Sequence, residues 1–180
     1  MLDKDMSKGE IEKELKGKGD FVQIDYLTKF IDKKPPIHIK KFALMKLIEI
    51  YEIKKMYNDV ARAYEQLAIN AISFTERTNF FVKEAEYYIK AGYIEKAEAA
   101  MRRAMELSTI IKKAEIYNGI KEFYKKQAEI FEKESKRNNA VKIYEKLLIM
   151  RIPENEREEI KHKLLNLYES LGKFGGKRII

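Results

Sequence analysis

The strongest constraint on the fold is a stretch, Phe81 to Thr109, in which two apolar patterns of helical period flank a single glycine. In each pattern, apolar residues recur every three or four positions, which is the spacing of one stripe on a helix. The first pattern runs from about Asn79 to Ala91 and the second from about Tyr93 to Leu107. Gly92 lies between them and can adopt the left-handed conformation that ends a helix. Because so short a joint forces the two segments back on each other, the stretch predicts an antiparallel helical hairpin.

The order of residues in this hairpin resembles a tetratricopeptide (TPR) repeat. Eight residues occupy the offsets that the repeat uses: Phe81, Ala85, Tyr88, Gly92, Ile94, Ala97, Met101 and Ala104. The chain departs from the repeat at Glu84, where Leu is usual, and at Thr109, where Pro is usual. An unrelated helical hairpin with ordinary core residues is the alternative. A resemblance to this family implies a protein-interaction role and brings no catalytic residues with it.

Helical patterns extend along most of the chain, and positions aligned with Ala97 recur at irregular intervals. These positions are Ile24, Val60, Ala97, Ala140 and Lys177, spaced 36, 37, 43 and 37 residues apart, whereas the TPR period is about 34. We therefore expect an all-α fold, a right-handed α-α superhelix similar to a divergent TPR solenoid, with about eight antiparallel helices. An all-helical bundle is the alternative. Residues 1–18 are predicted to be a polar lead-in, and residues 19–180 a single helical-repeat domain.

The segment Ile110 to Ser135 is predicted to form one long helix. Its apolar residues again follow a helical spacing. The side facing the core is expected to hold Ile111, Ala114, Ile120, Tyr124, Ala128 and Phe131.

The composition argues against an enzyme. The chain has no cysteine and two histidines, so the usual Ser-His and Cys-His nucleophile arrangements are not expected. Glu159 and His162 have the spacing used in di-iron bundles, but such a site needs that pair twice. The stretch from Gly172 to Lys177 is a poor match to a phosphate loop, because its spacing is one residue short. We expect no metal and no cofactor.

The sequence also gives an expectation for where in the cell the protein is located. No apolar run approaches the ~20 residues needed to cross a bilayer, and the charged segment Met1 to Asp20 lacks a secretion signal. The expected location is the cytoplasm, with no membrane partner. Lys and Glu are abundant while Gln and Cys are scarce, a bias reported for proteins of hot environments.

The TPR resemblance implies a partner-binding groove lined by the first helix of each pair. It assigns these residues to the groove: Met45, Glu49, Glu52, Val82, Glu86, Ile89, Lys125, Glu129, Glu132, His162, Asn166 and Glu169. This set is acidic with an apolar floor, which favours a basic or amphipathic segment of a partner protein. The alternative is that the glutamates only solvate an exposed helical face. We accordingly predict a non-catalytic interaction scaffold or adaptor.

Nucleic-acid binding is the rival hypothesis, because the formal charge of +8 is uneven along the chain. Residues 1–90 hold 17 basic and 15 acidic residues, a net charge of +2, and residues 91–180 hold 20 and 14, a net charge of +6. Cations interleaved with tyrosines can hold phosphates and stack bases. The candidate RNA- or DNA-binding face comprises Arg102, Arg103, Lys112, Lys113, Lys125, Lys126, Lys133, Lys136 and Arg137.

Self-association is a third possibility. Phe174, Ile179 and Ile180 lie near the end of the sequence and are apolar. Apolar residues at the end of a repeat array can dock on a second copy, which would make the protein a homodimer.

Overall fold

The computed structural model describes residues 2–172, and this part of the chain is all-helical, with no strand. Nine helices follow one another: α1 Lys8–Leu15, α2 Asp20–Asp32, α3 Ile37–Ile53, α4 Tyr57–Asn70, α5 Phe74–Lys90, α6 Ile94–Glu106, α7 Ile110–Lys133, α8 Arg137–Ile149 and α9 Glu154–Ser170. The all-α prediction is confirmed. The sequence predicted about eight helices, and the additional one within the described residues is the short α1.

Helix α1 begins at a capping box. The Ser7 backbone amide donates to Glu10 Oε2 at 2.7 Å, and the Glu10 amide donates to Ser7 Oγ at 3.4 Å. These bonds satisfy amides that otherwise have no partner at a helix start. Although residues 1–18 are mostly polar, Leu2, Ile11 and Leu15 are buried, so this segment contributes to a core.

The described chain divides into two compact units. Unit 1 comprises residues 1–91 and 96–108. In it α3 packs on α2 and α4, and α4 packs on α5. Ala85 and Ala97 are 0% and 1% exposed, as expected of small residues that let two helices approach closely. Phe81 and Tyr88 are buried beside them.

Unit 2 comprises residues 92–95 and 109–180, of which the structure describes those up to 172. Helix α8 packs on both α7 and α9. Ile120, Tyr124, Ala128 and Phe131 form the predicted buried side of α7.

Two residues predicted on that buried side are exposed instead, namely Ile111, at 76%, and Ala114. The reason is length, because α7 has 24 residues and α8 has 13. The end of α8 lies beside Tyr117, whose hydroxyl accepts a bond from the Arg151 amide at 2.8 Å. The first two turns of α7 therefore extend past their partner helix within the described residues.

The joint between α3 and α4 and the joint between α7 and α8 have the same backbone geometry. Lys55 and Ser135 adopt left-handed conformations, with φ of 56° and 57°. Met56 and Lys136 follow, at φ −81°, ψ 59° and φ −83°, ψ 56°. Each joint closes the first helix with the pair of backbone hydrogen bonds that defines a Schellman motif. The expected Gly is replaced by Lys55 in one joint and by Ser135 in the other.

Candidate partner-binding cleft

A cleft between α7 and α9 includes two residues of the predicted groove, Lys125 and Glu129. Its cavity volume is about 240 Å³. The lining residues are Lys125 and Glu129 from α7, Tyr144 from α8, and Glu156, Glu159, Ile160 and Lys163 from α9. We call this the α7–α9 cleft.

The spacing of side chains on each helix explains why they share the cleft. Lys125, Glu129 and Glu132 are four and three residues apart on α7, so they lie on one face. Residues on the adjoining face of α7, including Tyr124 and Ala128, pack in the core. The predicted groove residues of α7 therefore lie on the part of the helix surface that is not buried in the core.

Lys125 is held between two carboxylates. Its Nζ lies 2.6 Å from Glu156 Oε2 and 2.9 Å from Glu122 Oε1. Burial lowers the pKa of the Lys125 ammonium, but the hydrogen bonds with Glu156 and Glu122 outweigh it, so the pKa is raised overall. Lys125 therefore stays charged and links α7 to α9 along the cleft.

Tyr144 lies at the floor of the cleft and is 2% exposed. Its hydroxyl donates a hydrogen bond to Glu132 Oε1. Burial, this hydrogen bond and the charges of Glu132, Glu129 and Glu159 raise the pKa of Tyr144. The hydroxyl consequently remains protonated, and three carboxylates converge on it.

The carboxylates outnumber the cations at this site. Lys163 Nζ lies 3.2 Å from Glu159 Oε1 and 5.8 Å from the centre of the Tyr144 ring. Glu129 is exposed, and no described residue forms an ion pair or hydrogen bond with it. Counting the lining residues together with Glu122 and Glu132, five carboxylates face two ammonium groups. The residues that line the α7–α9 cleft have a net charge of −1, from Glu129, Glu156 and Glu159 against Lys125 and Lys163. Glu122 and Glu132, which bond to Lys125 and Tyr144 from beside the cleft, bring the total to −3.

The remaining predicted groove residues of unit 2 are on the exposed face of α9. His162 Nδ1 and Asn166 Nδ2 are 3.3 Å apart. Glu159, which has the metal-ligand spacing to His162, is instead paired with Lys163. Within residues 2–172, no group of three or more His, Asp or Glu side chains is placed to hold a metal ion.

The predicted groove residues of unit 1 lie on α3 and α5. Met45, Glu49 and Glu52 are exposed along α3, and Val82 and Glu86 are half-buried on α5. Tyr87 on α5 donates its hydroxyl to Glu52, which joins the two helices.

Ile89 is the exception among the predicted groove residues. It is 0% exposed and lies on the buried side of α5, one turn after Ala85. It therefore belongs to the core and lines no open face.

Among residues 2–172, some of the candidate nucleic-acid residues form ion pairs and others do not. Arg103 is directed into unit 1, where it forms ion pairs with Glu84 and Glu65. Lys112 pairs with Glu115 and Lys136 with Glu134, each at 2.8 Å. The other exposed cations are Arg102, Lys113, Lys126, Lys133 and Arg137.

The ion pair between Glu84 and Arg103 was not predicted from the sequence, in which Glu84 is a departure from the repeat. A carboxylate at a position that is otherwise apolar must be buried, and a buried carboxylate needs a cation nearby. Glu84 at this position was therefore the sequence signal for a buried ion pair, and Arg103 is the cation that completes it.

No protein-family model, no curated protein and no solved structure matches this chain. Among the described helices, none is both long enough and apolar enough to cross a lipid bilayer.

Proposed function

We propose that the protein is a non-catalytic interaction scaffold or adaptor that binds a basic or amphipathic segment of a partner protein. The observation that carries this proposal is the α7–α9 cleft, in which an excess of carboxylates surrounds a tyrosine floor. A lysine or arginine of the partner would place its charge at Glu129, which no described residue neutralises. Hydrogen bonds between ionised groups are stronger than those between neutral groups.

We further propose that the helices form a right-handed, TPR-like solenoid. The support is the repetition of one joint in two places, α3–α4 and α7–α8, with matching left-handed residues and hydrogen bonds. Repeat arrays are built from such supersecondary units. Solenoids act mainly through their extended surfaces, which agrees with a scaffold role.

A non-catalytic role is favoured by the scarcity of nucleophile-activating residues. The chain has no cysteine, and both His38 and His162 are exposed. The neighbour of the His162 ring is the Asn166 amide, which is not one of the nucleophiles that a histidine base usually activates.

The test is capture of partners from a lysate of the source organism, with and without nuclease. The tagged full chain is compared with the variant Glu49→Lys/Glu86→Lys/Glu129→Lys and with single Glu129→Lys. Glu115→Lys is the matched control, because Glu115 is an exposed glutamate of α7 outside the cleft. We expect a protein partner that survives nuclease, is retained by the control and is lost with the cleft variants. Unchanged capture by Glu129→Lys and the triple variant would exclude these faces.

Nucleic-acid binding is the second candidate. The observation that favours it is the exposure of Lys126, Lys133 and Arg137 around the α7–α8 joint. Captured RNA or DNA, with proteins released by nuclease, would support this reading over the scaffold. Binding that disappears as salt rises and shows no sequence preference would be a non-specific charge effect.

A further inference from the structure

A second surface, in unit 1, differs in chemistry from the α7–α9 cleft. A cavity of about 220 Å³ opens where α3 begins, α4 ends and α5 begins. Leu44, Leu67 and Phe80 form its apolar walls. Two isoleucines at the cavity, Ile37 and Ile72, are 55% and 90% exposed. Small-molecule pockets usually have roughly 300–1,000 Å³, so this cavity has the size for a single large side chain.

A row of aromatic rings leads away from the cavity between α3 and α5. The Phe80 ring lies 6.2 Å from the Tyr64 ring, and the Tyr64 ring stacks on Tyr87 at 5.5 Å. Lysines already rest on this row. Lys41 Nζ is 5.6 Å from the centre of the Phe80 ring, and Lys90 Nζ is 4.2 Å from that of Tyr87. The row therefore provides both apolar contact and cation–π contact.

Carboxylates lie at the other end of the row. Burial raises the pKa of Tyr64, and the charges of Glu52 and Glu86 raise it further. Glu52 accepts the Tyr87 hydrogen bond and has no ion pair with the described residues. Glu86 pairs with Lys83 at 2.7 Å. An ion pair between neighbouring turns of one helix contributes little to stability, so an incoming cation can replace Lys83.

The two ends are a fixed distance apart. Lys41 at the cavity and Glu52 at the acidic end are on the same helix, α3. At 1.5 Å per residue, their separation of eleven positions corresponds to about 16 Å. An extended chain covers that distance in about five residues.

We propose that this α3–α5 groove binds an extended segment of a partner protein, with one large apolar side chain in the cavity and a lysine or arginine at Glu52 and Glu86. The two residues of the segment are four or five positions apart. The Glu52 carboxylate, which has no ion pair with the described residues, selects a basic side chain over an acidic one at this end of the groove. The inference rests on the proposed scaffold function and specifies a ligand for the part of the predicted groove that lies in unit 1.

The test uses a display library of random peptides of 12 residues, selected on the full chain. We expect enriched peptides to share a Leu, Ile, Met or Phe and a Lys or Arg at one spacing of four or five residues. Enriched peptides without this spacing, or rich in Asp and Glu, would overturn the inference, as would the absence of enrichment.

Variants locate the bound peptide. Ile72→Asp places a charge at the cavity mouth, and Glu52→Gln removes the charge while keeping an acceptor for Tyr87. Each is expected to weaken binding of the synthetic peptide at least tenfold. The controls are Ile69→Asp, because Ile69 is 64% exposed and does not line the cavity, and Glu158→Gln on α9.

The outcomes separate this inference from the proposed function. Peptides that lose binding with Glu129→Lys but not with Ile72→Asp or Glu52→Gln would keep the scaffold function and refute the α3–α5 groove. Weakening by the controls to the same extent as by the groove variants would also refute it. Association of the free chain with itself that competes with the peptide would identify a second copy as the occupant, contrary to the proposal.

Discussion

The Arg103 guanidinium lies 2.6 Å from Glu84 Oε1, and this ion pair joins α6 to α5 in unit 1. A second nitrogen of Arg103 lies 2.9 Å from Glu65 Oε1 on α4, so one arginine links three helices. The guanidinium also lies 4.6 Å from the centre of the Phe81 ring. Glu84 is 1% exposed, and its other oxygen, Oε2, has no hydrogen-bond partner among the described residues. Glu84 is one of the two positions at which the sequence departs from the TPR pattern.

Arg103→Met is expected to be strongly destabilising above neutral pH. It removes the cation that compensates a buried carboxylate, and breaking a buried pair in this way costs about 3–5 kcal/mol. Arg103 is itself partly exposed, which favours the lower end, about 3 kcal/mol. Urea denaturation at pH 8 measures the free energy of unfolding.

Glu84→Leu is the matched test of the other partner. It removes the buried charge and places the residue usual in the repeat, while Arg103 keeps its pair with Glu65. Replacing buried ions by apolar side chains is often neutral or stabilising, so the free energy of unfolding should be unchanged or higher. A loss as large as that of Arg103→Met would contradict the account of Glu84 as a costly buried charge.

The stability of the chain should depend on pH through Glu84. Burial raises the pKa of this carboxyl from 4.5 to about 7, against the opposing effect of Arg103. Below pH 4.5 both the folded and the unfolded states hold the proton. As pH rises from about 4.5 to about 7, the unfolded state releases it first, so the free energy of unfolding falls. Above about pH 7 this loss is complete.

Comparison with Glu84→Gln isolates this effect, because all other titrating groups are common to both proteins. The wild-type chain should lose stability relative to Glu84→Gln between pH 5 and pH 8, as measured by urea denaturation at several pH values. Curves that stay parallel across this range would show that the pKa of Glu84 is not raised.

Replacement of Gly92 and of Gly119 by alanine should change the free energy of unfolding in opposite directions. Gly92 has φ of 80°, a conformation that costs an L-residue roughly 1–2 kcal/mol. Gly119 is exposed in the interior of α7, and an added Cβ meets nothing within 4 Å. Gly92→Ala should lower the free energy of unfolding by about 1 kcal/mol or more, and Gly119→Ala should raise it by about 1 kcal/mol. Thermal or urea denaturation measures both, and equal signs would contradict this assignment of backbone conformations.

Ala97 tests the close approach of helices in unit 1. Ala97 is 1% exposed, and Ala97→Leu adds atoms to a filled core, which costs roughly 1–3 kcal/mol. Ala99→Leu is the control, because Ala99 is exposed on the same helix. If both substitutions were neutral in urea denaturation, the helical register of α6 would be incorrect.

Much of the fold could be predicted from the spacing of apolar residues along the sequence. Apolar spacing predicted the α5–α6 hairpin and the buried side of α7 from Ile120 onward, because these features depend on neighbours along the chain. It failed at Ile111, since burial there depends on where α8 ends. Similarly, the joints at Lys55 and Ser135 lack the glycine that signals a left-handed residue.

The candidate sites were less predictable than the fold. Spacing placed Lys125, Glu129 and Glu132 on one face of α7, but it did not reveal that Tyr144 joins them. The Tyr144 hydroxyl reaches Glu132 from a different helix, and such contacts depend on packing. The cavity at Ile37 and Ile72 was also missed, because a space between three helices leaves no periodic signal in any one of them.

The most direct test of the central claim is hydrogen–deuterium exchange of the full chain, alone and with the partner protein captured from the lysate. Binding at the α7–α9 cleft should protect the backbone amides of residues 124–132 and 156–163 and leave 110–115 unchanged. The Glu129→Lys variant should lose this protection, and Glu115→Lys should keep it. Protection confined to residues around Lys133 and Arg137, or equal protection in both variants, would contradict partner binding at the α7–α9 cleft.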